Sequence, residues 1–228
     1  MIRVIDILLA LVGLVLLLPL LVIIALSLKF TGEGEIFFLQ ERTGREGKVF
    51  NVFKFATMLK NSPNIGPGTV TVINDPRVLP VGHILRKTKI NELPQLLNIL
   101  FGTMSFIGPR PLTKENFSFY SDDVKENIVK CRPGLSGVGS IIFRNEEFIL
   151  KNSSDAKYVY KNFIAPYKGE LEVWFYKNKN IYLYFKLIIL TIAVVVYPKS
   201  AILLTRMKNF PQAGSELSQL LEDQHPSV

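Results

Sequence analysis

Cysteine is nearly absent from this chain of 228 residues. The single Cys131 excludes an internal disulfide and fits a reducing compartment. Its simplest role is that of a small buried apolar side chain. Histidine is almost as scarce, at two residues, and no Cys/His spacing of a metal site occurs. There is no Walker-type phosphate loop and no internal repeat, which sets aside P-loop chemistry and solenoid folds. Acidic residues are in deficit, 19 against 27 Lys and Arg, for a formal charge of +8. That balance suits an anionic partner, whether nucleic acid, acidic lipid or a phosphorylated substrate. No pattern of a nucleic-acid-binding fold accompanies it, so the expectation is no nucleic acid.

What the sequence does have is a long uncharged run. Ile7 to Leu28 spans 22 positions without a formal charge, enough as a helix to cross a hydrocarbon core of about 30 Å. A signal peptide fits less well: the run is long, Pro19 lies inside it, and no small-x-small cleavage site follows before Lys29. Residues 1–30 are therefore read as an N-terminal membrane helix. Pro19 removes an intrahelical hydrogen bond and disfavours helical geometry at Leu18, predicting a kink. A kinked span and a re-entrant hairpin that returns to the same face both satisfy this. Arg3 and Lys29 flank the run at either end and suit both.

The remainder predicts a mixed, helix-rich α/β fold. Ile36 to Phe55 holds two aromatic and β-branched runs around a Gly-containing polar segment, a hairpin signal. Residues 61 to 71 read as a loop. Leu85 to Pro111 then gathers unusual polar apparatus. Pro94 suits the first turn of a helix, so Asn91 and Glu92 fall at or before its N-terminus, where capping is the plain explanation and phosphate binding the functional one. Leu93, Leu96, Leu97 and Leu100 recur at helical spacing and dock that helix on a core. Arg86, Lys87 and Lys89 lead into the stretch, Lys89 reading best as a solvated cation. Arg77 and Arg110 are candidate phosphate ligands, because a guanidinium grips two oxygens at once, and prolines on both sides stiffen the Arg110 loop.

Residues 116 to 130 read as one amphipathic helix. Cys131 to Ser140 is a loop with three glycines, with Arg132 and Arg144 on either side; Arg144 is a candidate substrate ligand by position. Glu146-Glu147 fits an exposed helix face. Ile181 to Val196, interrupted by Lys186, is short for a span and suits an amphipathic helix at the membrane surface, a buried core helix being the alternative. The domain thus runs over 31–205, and residues 206–228 read as a flexible tail.

Several separated motifs carry a resemblance. Leu93-Pro-Gln-Leu96, Gly108-Pro-Arg-Pro111 and Arg132-Pro-Gly-Leu135, preceded by Asn74-Asp-Pro-Arg77, are similar to those of the bacterial sugar transferases, the monotopic phosphoglycosyl transferases. Gln40, Arg42, Gly44, Gly47, Phe50, Lys54, Phe55 and Met58 also match the family's pattern, over roughly residues 1 to 205. Ala56 departs from it, standing where the family commonly carries Arg, with Lys60 the nearest substitute.

The resemblance implies a re-entrant helix broken at Pro19, interfacial amphipathic helices, and a catalytic domain on the cytoplasmic face of the bacterial inner membrane. It implies transfer of a sugar-1-phosphate from a UDP-sugar to polyprenyl (undecaprenyl) phosphate with release of UMP, the first step of glycan assembly. Partners are then the donor, the acceptor and the bilayer, with a homodimer allowed. It implies Mg²⁺ held by Glu92, catalysis by residues 91 and 92, and substrate contacts from Arg77, Arg86, Lys87, Arg110 and Arg144. The family's Asp-Glu pair reads Asn91-Glu92 here, and a neutral amide is a poor nucleophile. Three accounts follow: Glu92 attacks, the lipid phosphate attacks directly with Asn91 orienting it, or the chain is impaired and serves as a membrane scaffold.

Overall fold

The computed structural model describes residues 1–62, 75–151 and 155–223. Most of the loop expected over 61–71 lies outside these residues, as does Asn74. The chain divides into two compact units, Met1–Glu41 with Asn51–Gly102, and Arg42–Phe50 with Thr103–Val228.

In the first unit, helix α1 (Ile2–Thr31) runs through Pro19 as one element of 30 residues. The expected break is not an interruption of secondary structure. At 1.5 Å per residue α1 is about 45 Å long, more than a hydrocarbon core. Ala10, Ile24 and Leu28 are buried on a narrow stripe, with Asp6 at 1% exposure. Elsewhere the helix is apolar and bare: Val15, Leu16 and Ile23 are 70%, 73% and 62% exposed. A soluble core helix would not leave such residues in contact with water.

Strands β1 (Phe37–Thr43) and β2 (Val49–Phe55) form the expected hairpin, whose turn segment Arg42–Phe50 is counted with the second unit. Its turn uses left-handed backbone at Glu46 and Gly47 (φ 60° and 72°). At the open end Phe37 stacks on Phe55, ring centroids 5.8 Å apart. Helix α2 (Pro80–Lys87) starts at a proline whose missing N–H is no loss there. Helix α3 (Gln95–Phe101) follows a short 3₁₀ turn. Ile24, Leu28, Phe55 and Leu85 form a buried cluster that joins α1, β2 and α2.

In the second unit, β3 (Ser105–Ile107) pairs in parallel with β4 (Gly134–Ser136), Ser105 opposite Gly134 and Ile107 opposite Ser136. The single helix expected over 116–130 is two: α4 (Lys114–Ser118) and α5 (Asp122–Ile128). Extended backbone at Ser121 (ψ 159°) separates them, and the acidic Asp122-Asp123 pair restarts the helix. Leu112, Tyr120, Val124, Ile128 and Ala165 make the core beneath. Short helices α6 (Val138–Ile142), α7 (Glu146–Lys151) and α8 (Ala156–Val159) lead to α9 (Ala165–Asn178) and α10 (Ile181–Val196).

Helix α10 is apolar on two faces. Leu183, Leu187, Leu190 and Val194 are buried, while Tyr182, Ile189, Ile192 and Val196 are exposed. The buried face is that of a core helix.

Beyond it come α11 (Ile202–Thr205) and α12 (Ser215–Asp223). The tail expected to be loose is packed up to α12. The Phe210 ring lies 5.1 Å from that of Trp174, the Trp174 indole donates to the Lys208 carbonyl, and the Tyr167 hydroxyl donates to Pro211. Two apolar anchors, Phe210 and Leu217, hold a segment whose average composition gave no sign of packing.

Candidate active site

The Asn91-Glu92 pair lies in the 3₁₀ turn Ile90–Glu92, entered through left-handed backbone at Lys89 (φ 58°). Pro94 caps α3 rather than occupying its first turn. With seven residues, α3 is too short for a helix dipole to account for phosphate binding. Leu96 and Ile99 form its buried ridge, and Leu93, Leu97 and Leu100 are only half-buried. Gly13 of α1 faces Leu96, where an added Cβ would meet the leucine at 3.5 Å. Arg3 donates to the carbonyls of Ile99 and Leu100, closing the C-terminal end of α3. The turn that carries the pair is thereby tied to the long apolar helix.

Asn91 is 9% exposed, and its side-chain oxygen is buried with no hydrogen-bond partner among the described residues. An orphaned buried carbonyl costs stability unless something fills it. Glu92 beside it is half-buried, Arg86 is half-buried and Lys87 is exposed.

Arg77 is only 2% exposed. Its Nε and Nη2 donate to the two carboxylate oxygens of Asp75 at 2.8 and 2.6 Å, and Nη1 donates to the Ser62 carbonyl at 2.7 Å. The fork expected to grip phosphate holds the chain's own carboxylate. Lys60 is likewise engaged, its ammonium 2.7 Å from Glu35.

Sequence reasoning missed Asn98. Its amide donates to the Asn51 carbonyl at 2.7 Å and accepts from the Phe53 N–H at 2.9 Å, binding the edge of β2 as another strand would. The signal was present: an asparagine inside Leu-Leu-Asn-Ile-Leu, on a face that must be buried.

In the second unit the two Pro/Gly motifs meet backbone to backbone. Gly108 N–H donates to Ser136 at 3.0 Å, and Gly134 N–H to Pro109 at 2.8 Å. A Cβ on Gly108 would lie 2.3 Å from the Arg132 carbonyl oxygen, and one on Gly137 would lie 2.2 Å from that of Gly108, so neither position admits a side chain. The arginine borne by this rigid junction, Arg110, is exposed. Beside it opens a small recess lined by Thr43, Gly44, Pro109, Leu112 and Cys131. Cys131 is buried, as expected, and burial raises its thiol pKa.

Arg144 follows α6, half-buried and with no hydrogen-bond or ion-pair partner among the described residues; burial lowers its pKa. A desolvated guanidinium without a counter-charge is suited to an anion. Glu146, expected on an exposed face, is half-buried and ion-paired with Lys168. Glu172, also missed, is 3% exposed, and burial pushes its carboxyl pKa up to about 8.

The family profile described as bacterial sugar transferase matches residues 1–198, most of the chain. The chain belongs to this family. Among curated relatives, the exopolysaccharide production protein ExoY of Sinorhizobium fredii is 36% identical over 169 residues, 68% of this chain and 74% of the relative. The UDP-glucose:undecaprenyl-phosphate glucose-1-phosphate transferase of Escherichia coli is 38% identical over 75% of this chain and 36% of its own length. The undecaprenyl-phosphate glucose phosphotransferase of Komagataeibacter xylinus is 31% identical over 80% and 33%. This sugar transferase is thus similar to compact relatives over most of their length and to about a third of the longer ones.

In this sugar transferase the expected site residues divide between the units. Arg77, Arg86, Lys87, Asn91 and Glu92 belong to the first, Arg110 and Arg144 to the second. No group of three or more His, Cys, Asp or Glu residues suited to a metal occurs among the described residues. A metal held by a single carboxylate and substrate phosphates needs none, and that is how Mg²⁺ is usually bound.

Proposed function

We propose that the chain moves a sugar-1-phosphate from a UDP-sugar to undecaprenyl phosphate, releasing UMP, at the cytoplasmic face of the bacterial inner membrane. The supporting observation is the Asn91-Glu92 turn: an orphaned buried oxygen and a carboxylate, preceded by Arg86 and Lys87, on a segment packed against a 30-residue apolar helix. The names of the Escherichia coli and Komagataeibacter relatives support the acceptor, and the former supports the donor.

Glu92 and the Asn91 oxygen fit Mg²⁺, a hard cation that takes few protein ligands and completes its shell with phosphate oxygens. When bound, the ion would neutralise charge developing on the donor diphosphate. Asn91 is uncharged and its amide does not attack phosphorus. In the account proposed, an oxygen of the lipid phosphate attacks the sugar-bearing phosphorus while the bridging P–O bond to UMP breaks, with Asn91 orienting the reactants. Arg144 and Arg110 are assigned to donor phosphates, Arg86 and Lys87 to the remaining anionic charge. Arg77, its fork occupied, is assigned to holding Asp75 and the Ser62 carbonyl in place. The bare faces of α1 and α10 are assigned to lipid.

Asn91 also favours a second reading, a membrane scaffold without turnover. Glu92→Gln distinguishes the two: it abolishes transfer in the first and changes nothing in the second.

A further inference from the structure

Resting on the transferase reading, we propose that Glu172 is a positioning residue whose buried carboxyl fixes the backbone of the Arg110 loop and so sets where that guanidinium points. The sequence Pro109-Arg110-Pro111 has only one backbone N–H, since neither proline carries one. That single donor, on Arg110, is bonded to the Glu172 carboxyl, which also accepts the N–H of Gly139. One carboxyl of α9 therefore ties together the two motifs that already meet through Gly108, Gly134 and Gly137. Glycine at 139 makes this contact feasible, because a Cβ there would lie 2.7 Å from Glu172 Oε1. The Arg110 backbone is fixed from inside while its side chain stays exposed.

A carboxyl is a costly choice for this position. Glu172 is buried and its Oε2 has no partner among the described residues, so packing alone would be served better by an apolar residue. Lys168, one turn earlier on α9, is drawn to Glu146 and lies over the rings of Phe143 (5.0 Å) and Tyr160 (5.6 Å). The Lys168 charge also acts on Glu172 but is outweighed by burial, while Tyr120 and Cys131, which sense the carboxyl too, carry no positive charge. Accepting two loop amides is what the carboxyl does here that an apolar residue of its shape would not.

The full chain in detergent micelles allows a test with two readouts. Hydrogen exchange of the peptide covering 109–111 reports the Arg110 amide alone, independently of turnover. Steady-state transfer reports donor KM and kcat separately. Glu172→Met keeps the shape and removes both acceptors; we expect exchange at Arg110 and Gly139 and the donor KM each to rise about tenfold, with kcat changed less. Glu172→Gln retains an acceptor oxygen and should restore both readouts to near wild type. Wild-type exchange and KM in Glu172→Met, or a Gln variant as impaired as the Met variant, would overturn the proposal. Should Glu172→Met not fold, Gly139→Ala displaces the same carboxyl; faster exchange at Arg110 supports the assignment and unchanged exchange refutes it. A wild type that transfers no sugar phosphate defeats the transferase reading, while the exchange arm still decides the role of Glu172.

Discussion

Arg77 and Asp75 form a closed bidentate pair, Nη2 to Oδ2 at 2.6 Å and Nε to Oδ1 at 2.8 Å, both residues at most 2% exposed. Lysine cannot reproduce this fork. Arg77→Lys should therefore lower the melting temperature by several degrees in micelles, read by Trp174 fluorescence. A variant that keeps the wild-type melting curve and loses only donor affinity would place Arg77 on the substrate instead.

Asn98 satisfies one N–H and one C=O of β2. Asn98→Leu removes the side-chain partner of both backbone groups, at a cost of up to about 1–3 kcal/mol each to the extent that water does not replace it. Accelerated exchange confined to the Phe53 amide and its neighbours is the expected signature. Exchange equal to wild type would show that the clamp is dispensable.

Glu172 gives the fold a defined pH dependence. Its carboxyl is raised from the ordinary 4.5 to about 8 by burial, so between those values the folded chain holds a proton that the unfolded chain has lost. Stability contributed by that proton is full below about pH 4.5 and falls as pH rises toward 8, by at most about 1.4 kcal/mol per pH unit. Melting temperatures measured over this range should decline more steeply for wild type than for Glu172→Gln. Parallel curves would contradict the assignment.

Helix α1 carries cations near both ends, Arg3 and Lys29. If α1 returns to the cytoplasmic face, cysteines placed at Met1 and Thr31 should both react with an impermeant thiol reagent applied from that side. Reaction of only one end would establish a span.

The elements that declared themselves in the sequence are those with local causes. The apolar run of α1, the aromatic strands around Gly44 and Gly47, and the Pro94 helix start each follow from neighbouring residues. What stayed hidden depends on partners distant in sequence or on folding back. Asp75-Pro76-Arg77 reads as a surface turn, yet its arginine curls onto its own aspartate. Asn98 meets β2 from 45 residues away for Phe53. Glu172 looks like an ordinary helix-surface acid until α9 is packed against Gly139 and Arg110. Phe210 and Leu217 hold a tail whose composition is otherwise that of a loose segment. The turn carrying Asn91 and Glu92 follows from Pro94, but the burial of Asn91 and its orphaned oxygen depend on tertiary packing.

The central claim, turnover by an Asn91-Glu92 pair, is tested most directly by incubating the purified full chain with Mg²⁺, undecaprenyl phosphate and a panel of UDP-sugars. The account predicts release of UMP with formation of the sugar-diphosphate lipid from at least one donor, lost in Glu92→Gln. No UMP from any donor, with turnover appearing in Asn91→Asp, would contradict it.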